Sequence, residues 1–347
     1  MIDLPFWDIF KEKDGDRVSR EHREATVAAL EAGDIPPYAR HRLEQQVASG
    51  SKFFSSTLSA KEYLLAREGG YQPVSQVMGS SFMRVGWNPV QNGYVGDFVY
   101  TGELSSLTHA HKQARELALV RMQKEAAVLG ADGIIGVHIK RSDFSWAQNI
   151  TEFTAVGTAI RIPDHANAVG KQGQLPFTSS LSGQEFWQLY ESGYWPAGLV
   201  MGNSSYYVRG DWRTNNTLDI FGGLANQELE QFSDAFSHTR ELAVSRLTDE
   251  VRRLGAEGAV DMDISHNIRP FEYEREERKC LDIVINFFLM GTAVLLRPDG
   301  KSREMAKTRM VIDLSKSGVN NIEFDEPLAE FAGGQGGEEF ADDEALE

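Results

Sequence analysis

Apolar residues recur at helical spacing in two long segments. Ala114, Leu117, Ala118, Met122, Val128 and Leu129 share one face of the first, and Leu242, Ala243, Leu247, Val251 and Leu254 share one face of the second, so each predicts a long helix with one buried stripe. Both end in the same pattern, Leu129-Gly130-Ala131-Asp132-Gly133 and Leu254-Gly255-Ala256-Glu257-Gly258. The first glycine of each suits a left-handed helix stop, and the second a tight entry into a strand. Strands are then expected near 134–140 and 152–160, and again near 259–264 and 281–296. Upstream of each long helix a Ser/Thr-rich strand end, 54–58 or 177–181, leads into a short helix. Ser59 with Glu62, and Ser182 with Glu185, supply an S-x-x-E capping box, while Gly70 and Gly193 mark where that helix stops. A buried strand should follow, ending at Gly79 or Gly202, with Ser80-Ser81 and Asn203-Ser204-Ser205 as turn residues.

These parallels amount to a duplication. Phe54–Gly79 matches Phe177–Gly202 at 12 of 26 positions, and Arg115–Gly133 matches Arg240–Gly258 at 10 of 19, which sets domain limits without any template. The expected division is a helical hairpin at 1–50, a first repeat at 51–165, a linker at 166–176, a second repeat at 177–300 and a C-terminal extension at 301–347. The hairpin follows from the turn signal Gly33-Asp34-Ile35-Pro36-Pro37 between two apolar-periodic runs. Strands flanking one long helix in each repeat predict an α+β class, with helices on one face of each sheet.

Charge changes the picture mainly at the end of the chain. Net charge is −16, and ten acids from Glu323 to Glu347 supply −10 of it with no base among them. The glycine-rich, acidic segment from Glu323 is expected to be disordered and to dock a protein partner or simply solvate the chain. The body lacks the clustered Lys and Arg that phosphate backbones demand, so no nucleic-acid partner is expected. The longest apolar stretch, 283–296, falls short of the roughly 20 residues that cross a bilayer, and membrane insertion is not expected. A single cysteine, Cys280, together with an N-terminus unlike a signal peptide, points to the cytoplasm.

Chemistry is sparse. No Ser-His-acid, nucleotide-loop or dinucleotide pattern occurs, so the chain is not expected to be an enzyme. Candidate metal ligands are His109 and His111, which lie about 200° apart on a helix, and Asp261 with Asp263, which would share a strand face near His266. His109, His111 and His138 have Asp234, Phe236 and Asp263 at the matching positions, so none recurs in both repeats.

The helix motif Arg115-Glu116-Leu117-Ala118, the Gly130-Ala131-Asp132-Gly133 turn and Gly157-Thr158-Ala159 together resemble the YbjQ-like family, named for heavy-metal binding. The second repeat resembles it through Arg240, Gly255, Glu257, Gly258 and Gly291. The resemblance implies two tandem dodecin-like domains, each a small antiparallel sheet on one long helix plus a short inserted helix, and a homo-oligomer built as a ring. The expected function is therefore a non-enzymatic oligomeric assembly or binding protein made of ring-forming domains. The alternative is a binder of a divalent metal ion or small molecule at sites between subunits.

Overall fold

The computed structural model describes residues 14–50, 55–85, 101–143, 150–162, 175–217, 227–275, 278–296, 311–312 and 321–322. It is a mixed α+β protein, with seven helices among these residues. The chain divides into two compact units, 1–302 and 303–347. In the second unit the described residues form two short antiparallel strands, β9 (Val311–Ile312) and β10 (Asn321–Ile322). The acidic segment from Glu323 lies outside the described residues.

The first unit opens with α1 (Asp14–Glu31) and α2 (Pro37–Ala48). Between them Gly33 takes a left-handed φ of 66° and Asp34 binds Arg40 at 3.0 Å. Then come α3 (Ala60–Glu68), β1 (Gln72–Arg84), β2 (Gly102–Glu103), α4 (Ser105–Val128), β3 (Gly133–Asp143) and β4 (Ile150–Arg161). The second half continues with β5 (Phe177–Thr178), α5 (Gly183–Glu191), β6 (Tyr194–Val208), α6 (Trp212–Thr217), α7 (Glu230–Arg253), β7 (Gly258–Arg275) and β8 (Arg278–Leu296). Both capping boxes form: Ser59 and Ser182 each accept the N–H of the glutamate three residues on, and that glutamate accepts theirs. Gly130 and Gly255 end the long helices at φ 66° and 65°, the conformation a glycine tolerates without a Cβ penalty.

The two sheets run β1-β4-β3-β5 and β2-β6-β8-β7. Each takes an edge strand from the other half of the chain. β5 pairs parallel to β3, Gly133 opposite Phe177, and β2 pairs with β6, Gly102 opposite Tyr207.

Two expectations need correction here. Ser80-Ser81 and Asn203-Ser204-Ser205 are not turns, because β1 and β6 run straight through them, with Ser80 opposite Thr154 and Ser204 opposite Phe287. Small polar residues belong there because the strand is sandwiched and its partners supply hydrogen bonds. Helices also do not keep to one face of each sheet. α7 covers one side of β6 and β8, through Val200, Leu247, Phe287 and Leu289. The other side, with Met201, Phe288 and Met290, packs into the core that α4 shares with the first sheet. α4 is thus a central layer between two sheets.

Candidate functional site

The densest polar chemistry lies where α4 meets the second sheet. Thr108, His111, Arg115 and Leu119 recur every three or four residues, so they form one stripe of α4, and all four are buried. At the first turn of that stripe, the Thr108 carbonyl accepts Asn203 Nδ2 at 2.9 Å. The Thr108 hydroxyl accepts the Ser205 N–H at 3.0 Å and donates to Glu103 at 3.0 Å. Arg246 of α7 closes the network with an ion pair to Glu103 at 2.7 Å and a bond to the Asn203 carbonyl at 2.7 Å. Burial works against the Glu103 carboxylate, but Arg246 and Thr108 outweigh it and hold its pKa below the usual range. A polar cavity of about 530 Å³ opens beside this network, lined by Glu103, Ser105, Ser106, Thr108, His109, Lys112, Asn203 and Arg246. Arg246 and Glu103 already neutralise each other there, and no base is positioned beside a nucleophile, so the geometry locks two halves together and offers no reaction.

Deeper in the stripe His111 sits between Phe153 of the first sheet and Phe288 of the second, with centroid distances of 6.0 and 5.3 Å. Burial, reinforced by Arg141, Arg115 and Arg269, pushes its pKa down to about 3, so the ring is neutral at ordinary pH. Arg115 is buried and its Nε lacks a hydrogen-bond partner. Burial lowers its pKa to about 10 against the pull of Glu250 and Glu116.

The expected metal ligands do not converge. His109 stands at the cavity rim while His111 is inside the core, on opposite sides of α4 as their spacing requires. Asp261 and Asp263 do not continue a regular strand face, because the pairing slips between Val260 and Asp263 and Asp261 takes a φ of 53°. Such a bulge breaks the two-residue alternation. Asp263 then lies opposite Met290 and His266 opposite Phe287, residues that pack into different cores. His266 stacks on Phe287 and meets Phe236 edge-on. Among the described residues no group of three or more His, Cys, Asp or Glu side chains could hold a metal ion. The donors present thus do not fit a heavy-metal centre.

The motif residues carry structure. Asp132 accepts the Ile162 N–H at 2.7 Å, Glu257 donates its N–H to the Val294 carbonyl at 3.0 Å, and a Cβ on Gly157 or Gly291 would collide with Ile134 or Met262. Arg115 is buried but Arg240, its sequence match, is exposed. Two features escaped sequence reasoning. Thr158 accepts the Thr57 N–H at 3.0 Å and bonds its hydroxyl at 2.7 Å; Thr292 does the same for Ser180, both at 2.9 Å. Glu125 and Glu250 accept the strand N–H of Met78 and Met201. Their signal was recurrence at matched positions, read earlier as helix pattern alone. Replacing Thr292 by valine keeps shape and strands two buried partners, and should cost about 1–3 kcal/mol, measurable as a lowered urea midpoint; an unchanged midpoint would remove the clamp role.

A family model described as "Putative heavy-metal-binding" matches residues 94–163. The encapsulin nanocompartment protein Rv1762c of Mycobacterium tuberculosis is 34% identical over 280 residues, covering 79% of this chain and 96% of that protein. The chain belongs to the family of that protein. UPF0145 proteins of Pseudothermotoga lettingae and Vibrio campbellii are 44% and 32% identical over 61 and 82 residues, which span 18% and 22% of this chain and 56% and 77% of theirs. The long relative corrects the functional expectation of a ring-forming binder or of metal and small-molecule sites between subunits. It is named for a nanocompartment, and not for a metal or a small molecule. An assembly role is compatible with it. No helix among the described residues is long and apolar enough to cross a membrane.

Proposed function

We propose that this chain is a non-enzymatic structural component of an encapsulin-type nanocompartment. The observation that carries the reading is identity along nearly the whole length of the mycobacterial nanocompartment protein, where the UPF0145 proteins match only short segments. Two YbjQ-like copies, at 51–165 and 177–300, would act as two building blocks in one chain, with the hairpin at 1–50 as an appendage and 301–347 as an extension. The recurrence of Arg115, Gly130, Gly133 and Gly157 as Arg240, Gly255, Gly258 and Gly291 supports that division. The net charge of the acidic segment suits a docking arm toward a basic partner surface, and the single cysteine suits a cytoplasmic site of assembly.

The test is fractionation of a native lysate on a density gradient, followed by electron microscopy of the fractions that contain the chain. Recovery in closed particles of compartment size is the expected result. Recovery only at the mass of one or a few chains, from cells that also hold intact compartments, would overturn the reading.

A further inference from the structure

Every surface that joins the two halves of this chain exists a second time, and the second set has no counterpart among the described residues. The outer stripe of α4 is buried on the second sheet: Thr108, His111 and Arg115 are 8%, 4% and 4% exposed. The matched positions on α7 are Ser233, Phe236 and Arg240, of which Ser233 and Arg240 are exposed and Phe236 half-buried. The face that receives α4 includes Met201 and Ser205, 4% and 0% exposed. The matched positions on the first sheet, Met78 and Phe82, are 52% and 63% exposed, large apolar side chains on a face that nothing described covers.

The sheet edges repeat this logic. β3 is closed by the segment after residue 176, through Ser179 N–H to the Ile134 carbonyl and Gly136 and Val137 N–H to the carbonyls of Leu181 and Ser179. Ile134, Ile135 and Val137 are buried as a result. β7 occupies the matched edge with Val260, Met262 and Ile264 at 37%, 40% and 56% exposure, the kind of long apolar edge that recruits another strand. Residues 55–58 are exposed or half-buried where the matched 178–181 are mostly buried. Thr158 holds this segment in an extended path on its own half, as Thr292 holds the other.

A glycine gives the independent sign. A side chain on Gly133 would collide with the Phe177 ring that fills its place. Gly258, the matched residue, has open space with no atom within 4 Å of an added Cβ. Phe54 matches Phe177 in the sequence, although its placement lies outside the described residues. The room for an aromatic ring is retained at Gly258, and a phenylalanine of the right segment is retained at position 54.

We infer that a second copy of this chain docks head to tail on the first, reproducing between chains the interface that joins the halves within one. The outer face of α7 covers the open face of the neighbour's first sheet. The neighbour's residues 54–58 add to the edge of β7, with Phe54 seated over Gly258. This interface is heterologous, since the two chains use different surfaces, and it propagates from chain to chain until it closes on itself. The free faces carry both signs, Arg240 on the helix and Glu152 with Lys140 on the sheet, so no block of like charge opposes the contact. The inference goes beyond the nanocompartment reading and does not depend on it.

Two variants block opposite ends of the same contact. Phe82→Arg places a charge on the open sheet face, and Gly258→Leu fills the seat of Phe54; both sites are open to solvent in the single chain, so folding should be kept, which thermal melting checks. Sedimentation velocity of the purified full chain at micromolar concentration should give a multimer for the wild type and the mass of one chain for each variant. An equimolar mixture should give the mass of two chains and no larger species, because one intact contact of each kind remains. A monomeric wild type, either folded variant at wild-type mass, or a mixture that stays monomeric would each overturn the inference.

Discussion

Adding a single methyl group at Gly79 should destabilise the chain by about 3 kcal/mol or more, at the upper end of the usual range for overpacking. A Cβ there would overlap the Ala118 carbonyl oxygen and come within 2.6 Å of the Met122 nitrogen, both backbone atoms of α4. Backbone cannot rotate away as a side chain does, so either β1 or the whole helix has to move. Gly202 presents the same geometry to Ala243 and Leu247 of α7, yet its substitution should cost less. α4 is held between two sheets by its buried outer stripe, whereas the outer stripe of α7 carries the exposed Ser233 and Arg240 and can shift outward. Urea denaturation of Gly79→Ala and Gly202→Ala should therefore rank the first as the more damaging. Gly258→Ala, with empty space around it, should change stability by no more than about 0.5 kcal/mol. Equal losses at Gly79 and Gly202 would mean that the inner helix is no more confined than the outer one.

The difference between Gly79 and Gly202 also explains what the sequence could and could not reveal. Helix limits, the capping boxes at Ser59 and Ser182 and the stops at Gly130 and Gly255 were legible because they depend on chemistry within a turn or two of chain. The Ser80-Ser81 and Asn203–Ser205 segments were misread because their polarity answers to distant partners, Thr108 among them, and local propensity favours a turn. β7 was expected to end near Ile264 but runs to Arg275, opposite Arg278 of β8; the length of a hairpin is set by its partner strand and not by its own pattern. The placement of α4 was out of reach for the same reason. Nothing in a duplicated sequence says that one copy of a helix is covered on two sides while the other is covered on one. The proposed metal pair failed on a bulge at Asp261 that the matched Gly136, φ 60°, hints at only in hindsight: a glycine in a strand interior often marks that irregularity.

Acid should unfold this protein through His111 before its carboxylates contribute. The imidazole is neutral in the folded chain down to a pKa of about 3, because burial and the nearby Arg141, Arg115 and Arg269 oppose its charging, while in the unfolded chain it titrates near its ordinary 6.5. Between those values only the unfolded state takes up the proton. Stability is thus fully present above pH 6.5 and falls below it, by up to about 1.4 kcal/mol for each pH unit. The carboxylates of Asp34, Glu62, Glu103 and Asp211 are held below their ordinary values of 3.8 or 4.5, so their stabilisation is lost only further into acid. Glu125, whose carboxyl burial raises, works in the opposite direction because it binds a proton more readily when folded. That contribution is common to wild type and a histidine variant and cancels in the comparison. Phenylalanine is the informative replacement, since Phe236 takes the matched position and meets Phe287 as His111 meets Phe153. His111→Phe should flatten the stability profile between pH 6.5 and 4.5, read from urea midpoints at each pH. His109→Phe, at the exposed cavity rim, should leave the slope as it was. A slope unchanged by His111→Phe would show that this ring is hydrated or shielded from its arginine neighbours, and would weaken the case for α4 as a dry central layer.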